Sequence, residues 1–251
     1  METKSRKATT AHKIIETGEG VLNLVWGKAD ARRAASLEII ARTAYTAEES
    51  ACHYLETIGL DREGTIRETL ELARYQDTNE QTHEDIFARD LGGLKNWGDR
   101  FLARHIAVII YWVFAITTLI DHEMAALLGE AVEVEAVKTY RRMLKEQPEE
   151  WLAQPATPTA THYWEKPNSM WRVRGDHMPG SMRDVVEAIV KDEADHVSPI
   201  ARKQQRFDQR LRAAWAWLDQ QTRSGLLIIP FSFRSRPLIL HRSPCRYLLD
   251  L

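Results

Sequence analysis

Cysteine is scarce in this chain: Cys52 and Cys245 stand far apart and form no Cys-x-x-Cys pair. Two isolated thiols exclude a disulfide framework and a thiolate zinc site, and are expected to be reduced. An excess of charge of one sign is also lacking. The 34 basic and 36 acidic residues nearly cancel, so no long-range field recruits nucleic acid or an acidic substrate. The first residues, METKSRKATTAHK, hold no apolar stretch of the kind a signal peptide needs.

Long hydrophobic runs are missing as well. The longest, Ile106 to Ile120, has 15 residues against the roughly 20 of a spanning helix. Arg100, Arg104 and His105 precede it, Asp121, His122 and Glu123 follow it, and Tyr111 and Trp112 suit headgroup depth. The pattern fits a helix lying in one leaflet, and on hydropathy it fits a buried bundle helix equally well.

Gly and Pro are sparse between about residues 30 and 224, and Val/Ile alternation of strand length is absent there. The intervening segments are rich in Ala, Leu, Glu and Arg, which predicts helices near 31–59, 62–91, 98–120, 121–147 and 181–205. Ser181, with Asp184 three residues on, signals a capped start for the last of these. Pro199 is expected to end or kink it, with a continuation over about 201–222. The reading is therefore an N-terminal extension (1–30), one helical bundle (31–224), and an atypical C-terminal tail (225–251) with three prolines.

Two Glu-x-x-His pairs, Glu80/His83 and Glu193/His196, each put a carboxylate and an imidazole on one helical face. With 22 glutamates and 9 histidines, about 0.8 such spacings arise by chance, so the pairs gain meaning only from context. Both fall on predicted helices. Glu56 precedes the first pair and Glu133 lies between the two, giving the order Glu, Glu-x-x-His, Glu, Glu-x-x-His. Four carboxylates and two imidazoles from four helices are what a di-iron bundle uses. His53, His105, His122, His162 and His177 lack any motif and are expected at the surface or at an interface.

Several local sequences match a known family. LETIG at 55–59, NEQTH at 79–83, VEVEAVKTY at 132–140, the pair Tyr163-Trp164 and RDVVEAIVKDEADH at 183–196 resemble, in order, motifs of the alternative oxidases. The likeness covers roughly residues 50 to 200. It implies an all-α, ferritin-like four-helix di-iron bundle with additional membrane-interfacial helices, and a cyanide-resistant terminal oxidase that passes electrons from a quinol to O2. Carried over residue by residue, it assigns two iron ions to Glu56, Glu80, His83, Glu133, Glu193 and His196. It makes Tyr140 the redox tyrosine, and Tyr140 stands almost two turns from Glu133 on the same helical face. Leu55, Glu135 and Ala136 would border the quinol, while Asn79, Asp192 and Trp164 would orient the ligands. A monotopic association with a bacterial or mitochondrial inner membrane and a homodimer are further expectations.

Three features depart from the family. The interval from Glu56 to Glu80 is short, Ala51 stands where an arginine is expected one turn and a little before the first ligand, and the segment before Glu133 lacks a histidine-arginine pair. These departures motivate two other readings: a di-iron oxygenase or hydroxylase acting on another apolar molecule, and a metal-binding, membrane-associated bundle without turnover.

Overall fold

The structure, a computed structural model, describes residues 2–60 and 65–197. The expected continuation of the last helix beyond Pro199 and the 225–251 tail lie outside the described residues. Helix α1 (Glu2–Val25) is followed by α2 (Ala31–Thr57), α3 (Thr65–Glu84), α4 (Trp97–Ile120) and α5 (His122–Glu146). Three short helices, α6 (Glu149–Leu152), α7 (Pro158–Glu165) and α8 (Met170–Arg174), lead to α9 over residues 182–197. Among the described residues there is no strand, only an isolated bridge between Pro155 and Ser181. The all-α reading of the sequence holds, and among the described residues each of the five predicted helices is present, the last as far as residue 197.

Local chemistry explains the helix boundaries. Asp30 caps α2 by accepting from the amides of Arg32 and Arg33, Asn96 caps α4 through Gly98, and Asp121 separates α4 from α5 and caps the latter. At α9 the Asp184 carboxylate accepts from the Ser181 amide at 2.9 Å while the Ser181 hydroxyl accepts from the Asp184 amide. This reciprocal capping box anchors the helix start that its sequence announces.

The N-terminal segment is more than an extension. It folds as α1 and packs along α5, with Lys7 bridging to Asp121 and Glu123 at 2.7 and 3.0 Å and Glu19 bonded to the buried Arg33. Asp99 on α4 gathers Arg32 and the Trp26 indole, which ties the α1–α2 connection to the bundle. Alanines line the buried side of α2 at 34, 35, 41, 44, 47 and 51, so neighbouring helices approach it closely.

Among the described residues the core falls into three clusters. The largest surrounds Leu37, Phe87, Ala136, Tyr140, Met143, Trp171 and Val186. A second holds Ala44, Phe114, Leu128 and Val132. The third, around Cys52, Leu55, Ile66 and Leu70, sits near the C-terminal end of α2. Immediately after α3 the backbone widens into a π-helical turn, Asp85–Asp90, that buries Ile86 and Phe87. Such turns relieve a register mismatch and are frequent beside functional sites.

Helix α4 has 24 residues and is apolar and long enough, by length and composition, to cross a membrane. The 15-residue run therefore understated the helix that carries it. One face of α4 buries Ala103, Ala107, Phe114 and Thr118 against the bundle. The opposite face exposes Phe101, Val108, Ile109, Trp112, Val113, Ile116 and Ile120, an apolar stripe at helical spacing.

Candidate metal centre

Four helices send glutamates and histidines into the middle of the bundle. Helix α2 contributes Glu38, α3 contributes Glu80 and His83, α5 contributes Glu133, and α9 contributes Glu193 and His196. Their ligand atoms form two groups, Glu38/Glu80/His83/Glu193 and Glu80/Glu133/Glu193/His196, each with all atoms within 4.8 Å of one another. All six residues are buried, none more than 2% exposed. Glu80 and Glu193 belong to both groups, so each carboxylate is within reach of either one.

Antiparallel pairing generates this arrangement. On α3 and α9, His196 Nδ1 lies 3.0 Å from Glu80 and His83 Nδ1 lies 3.1 Å from Glu193. The i, i+3 spacing within each helix thus matches head to tail across the pair. The two single glutamates close the cage, with Glu38 Oε2 at 3.5 Å from His83 Nδ1 and Glu133 Oε2 at 3.5 Å from His196 Nδ1.

The glutamate that α2 brings to this cluster is therefore Glu38, whereas Glu56, the residue expected from the sequence, stays outside it. Glu56 lies 18 residues further along α2, about 27 Å of helix, half-buried beside the third core cluster. Leu55 moves with it: it packs on Cys52, Ile66 and Leu70, whereas Leu37, the residue before Glu38, shares a cluster with Ala136. The LETIG likeness misdirected the assignment because a second Leu-Glu pair, Leu37-Glu38, stands earlier on the same helix. With Glu38 as the reference, the interval to Glu80 lengthens and Arg33 occupies the position one turn and a little before it. The absent arginine is thus present, fully buried, and bonded to Glu19 and to the Trp26 carbonyl.

Around the cage, Asp192 does the bracing. Its Oδ2 lies 3.0 Å from His83 Nε2 and accepts from the Trp171 indole at 2.6 Å and from Asn79 at 3.2 Å, while its Oδ1 accepts from Arg174 at 2.7 Å. Asn79 also donates to the Tyr163 hydroxyl. Asn79 and Asp192 thus lie together beside His83. Trp164 makes other contacts: its indole donates to the Asp176 carbonyl and its ring carries the Arg172 guanidinium at 4.3 Å. Its place beside Asp192 is taken by Trp171, which no motif marked. Glu135 and Ala136 are buried on α5, Glu135 accepting from Lys138 at 2.6 Å.

Tyr140 donates to Glu38 on the facing helix, although its spacing put it on the face of Glu133. A second tyrosine, Tyr45, donates to Glu133. Sequence reasoning missed Tyr45, and also His122, which is buried rather than at the surface. His122 lines a pocket with Tyr45, Glu48, Gln76, Phe114, Thr118 and Glu133.

The electrostatics fit a cation pair. Burial, then repulsion from Glu193 and Glu38, pushes the Glu80 carboxyl well above its ordinary range. Burial and the neighbouring Glu133 push Glu193 up to about 8. Burial opposes charge on His83, yet Asp192, Glu193 and Glu38 hold it well above an ordinary imidazole. The atoms turned inward, Glu38 Oε2, both oxygens of Glu80 and Glu193, His83 Nδ1, Glu133 Oε2 and the His196 ring nitrogens, have no hydrogen-bond partner. Buried polar atoms without partners are costly, and clustered ones of this chemistry call for metal ions.

The comparisons with known proteins agree with the geometry. The family model of the alternative oxidases matches residues 3–201. The chain belongs to the alternative oxidase family. The match takes in α1 through α9, so the N-terminal helix is part of the family's body. A curated relative, ubiquinol oxidase 4 (chloroplastic/chromoplastic) of Arabidopsis thaliana, is 30% identical over 169 residues, 64% of this chain and 47% of that protein. This alternative oxidase chain thus spans about half the length of the relative it matches.

Proposed function

We propose that this chain is a quinol:oxygen oxidoreductase whose six inward residues, Glu38, Glu80, His83, Glu133, Glu193 and His196, hold two iron ions. The observation that carries the reading is the convergence of four carboxylates and two imidazoles with unpartnered, inward-facing atoms in a member of the alternative oxidase family. A relative named a ubiquinol oxidase supports the substrate class.

Two irons would supply the redox chemistry of oxygen reduction. The residues supply the rest. Glu80 and Glu193 span both ligand groups, and Asp192 fixes the ring of His83 so that Nδ1 faces inward. Tyr140 shares the apolar cluster of Leu37 and Ala136 and touches Glu38, a position suited to an electron donor between the quinol and the metals. Arg33, Leu37, Glu135 and Ala136 are the candidates to border the quinol, with Leu37 in place of Leu55. The exposed stripe of α4 would lie in one leaflet, with Trp112 at headgroup depth, giving the protein access to a lipid-dissolved quinol. Arg33 supplies an arginine at the spacing whose apparent loss had favoured another substrate, so the hydroxylase reading rests on the missing histidine-arginine pair before Glu133.

Iron content and oxygen uptake on an added short-chain quinol, with and without cyanide, test the proposal in one preparation. Two irons per chain and cyanide-resistant uptake are expected. Two irons without uptake on any quinol would overturn the oxidase reading while leaving the metal centre in place.

A further inference from the structure

Helices α2 and α5 carry the same device in mirrored form. Tyr45 stands seven residues after Glu38, and Tyr140 stands seven residues after Glu133. Because the helices run antiparallel, each tyrosine reaches the glutamate of the other: Tyr45 donates to Glu133 Oε1 and Tyr140 donates to Glu38 Oε1. In both pairs the remaining oxygen, Oε2, has no partner and lies 3.5 Å from a cage histidine. Tyr45 also meets His196 edge-on, ring centroids 5.9 Å apart, so it touches both the carboxylate and the imidazole of one ligand group. Tyr140 instead stacks on Phe87 in the apolar cluster.

We propose that Tyr45 is a positioning residue for the metal on the Glu133/His196 side, the counterpart of Tyr140 on the Glu38/His83 side. A glutamate has two equivalent oxygens and, unrestrained, swings between one-oxygen and two-oxygen ligation. By occupying Oε1 with a phenol donor, Tyr45 leaves Oε2 of Glu133 alone for the metal and fixes its direction. Two metals would thereby meet single glutamates restrained in the same way. They differ in access, since Tyr45 and Glu133 line the pocket bounded by Glu48, Phe114 and His122 and Tyr140 does not.

The inference rests on the metal-centre reading, and one experiment separates the two. Mn2+ binding isotherms and the Mössbauer spectrum of 57Fe-loaded protein are recorded for the wild type, Tyr45→Phe and Tyr140→Phe, each checked for helicity without metal. The wild type takes up two ions. Tyr45→Phe is expected to weaken one of the two by about 10- to 100-fold and to alter one iron doublet. Tyr140→Phe should alter the other doublet. Tyr45→His, which returns a donor to the same space, should recover the affinity, and this variant decides the matter if the phenylalanine form does not fold. Wild-type protein that binds no metal overturns the site reading and this inference with it. Normal uptake and unchanged spectra in Tyr45→Phe, or equal loss in Tyr45→His, overturn the role of Tyr45 alone.

Discussion

At the scale of single residues, burial and partners decide which of several similar side chains belongs to the site. Glu38 is 1% exposed and faces His83, while Glu56 is half-buried some five turns away. Glu38→Ala is therefore expected to lose metal and oxygen uptake to background, and Glu56→Ala to keep both within twofold; elemental analysis and an oxygen electrode read the difference. Asp192→Asn keeps the shape but removes the charge that fixes His83, and should weaken metal binding by about 10- to 100-fold in a competition titration with a chelator. Glu48 makes a pH prediction. It lies 3.8 Å from His122 in the pocket that Tyr45, Thr69, Gln76, Thr118 and Glu133 also line. Burial pushes its pKa from 4.5 up to about 7 and pushes His122 from 6.5 down to about 4. Glu48 thus favours the folded chain at low pH, and that contribution is lost as pH rises through 7. His122 acts in the opposite sense, its contribution being lost as pH falls through 4. Denaturant unfolding of Glu48→Gln should show a gain over wild type that grows between pH 5 and pH 8, up to about 3 kcal/mol, because each tenfold change in proton affinity is worth roughly 1.4 kcal/mol. A constant difference across that range would refute the assignment.

At the scale of elements, the helices of the cage and the helix outside it are held by different physics. Helices α3 and α9 face each other through Glu80, His83, Glu193 and His196, so their pairing would be strengthened by any cations those side chains bind. Helix α4 is the reverse: its inner face is alanine-rich and its outer face carries Ile109, Trp112, Val113 and Ile116 in the open. An exposed apolar stripe of this kind is the feature on which the proposed membrane contact rests. Ile109→Lys together with Val113→Glu should reduce co-sedimentation with liposomes at least tenfold, while leaving the helical circular dichroism unchanged. Retention of full lipid binding would place the membrane contact on another element.

At the scale of the whole molecule, four buried glutamates in one cage oppose folding unless cations or protons neutralise them. Removing metal with a chelator should lower the thermal midpoint, and readdition should restore it. At a free metal concentration 1,000 times the dissociation constant, the stabilisation per site is about 4 kcal/mol, large against the 5 to 15 kcal/mol that holds a domain folded. Equal midpoints with and without metal, read by calorimetry, would show that the ligand groups do not bind ions tightly.

The sequence by itself determined five long helices, though not α1, most of their ends and the two Glu-x-x-His pairs of the cage, because helical periodicity, capping chemistry and that spacing are all local. Glu133 was legible too, through its motif. The first glutamate was not, since two Leu-Glu pairs share α2 and only the packing of α2 on the rest of the bundle tells which one faces His83. The Glu-x6-Tyr spacing offered a further signal, but it occurs at Glu38, Glu68 and Glu133, and Tyr75, the tyrosine of the second, is exposed. Trp171 reaches Asp192 from another short helix, and Tyr45 reaches Glu133 across the bundle. Contacts of that range are set by how antiparallel helices register against one another, which no local pattern encodes and only the tertiary structure decides.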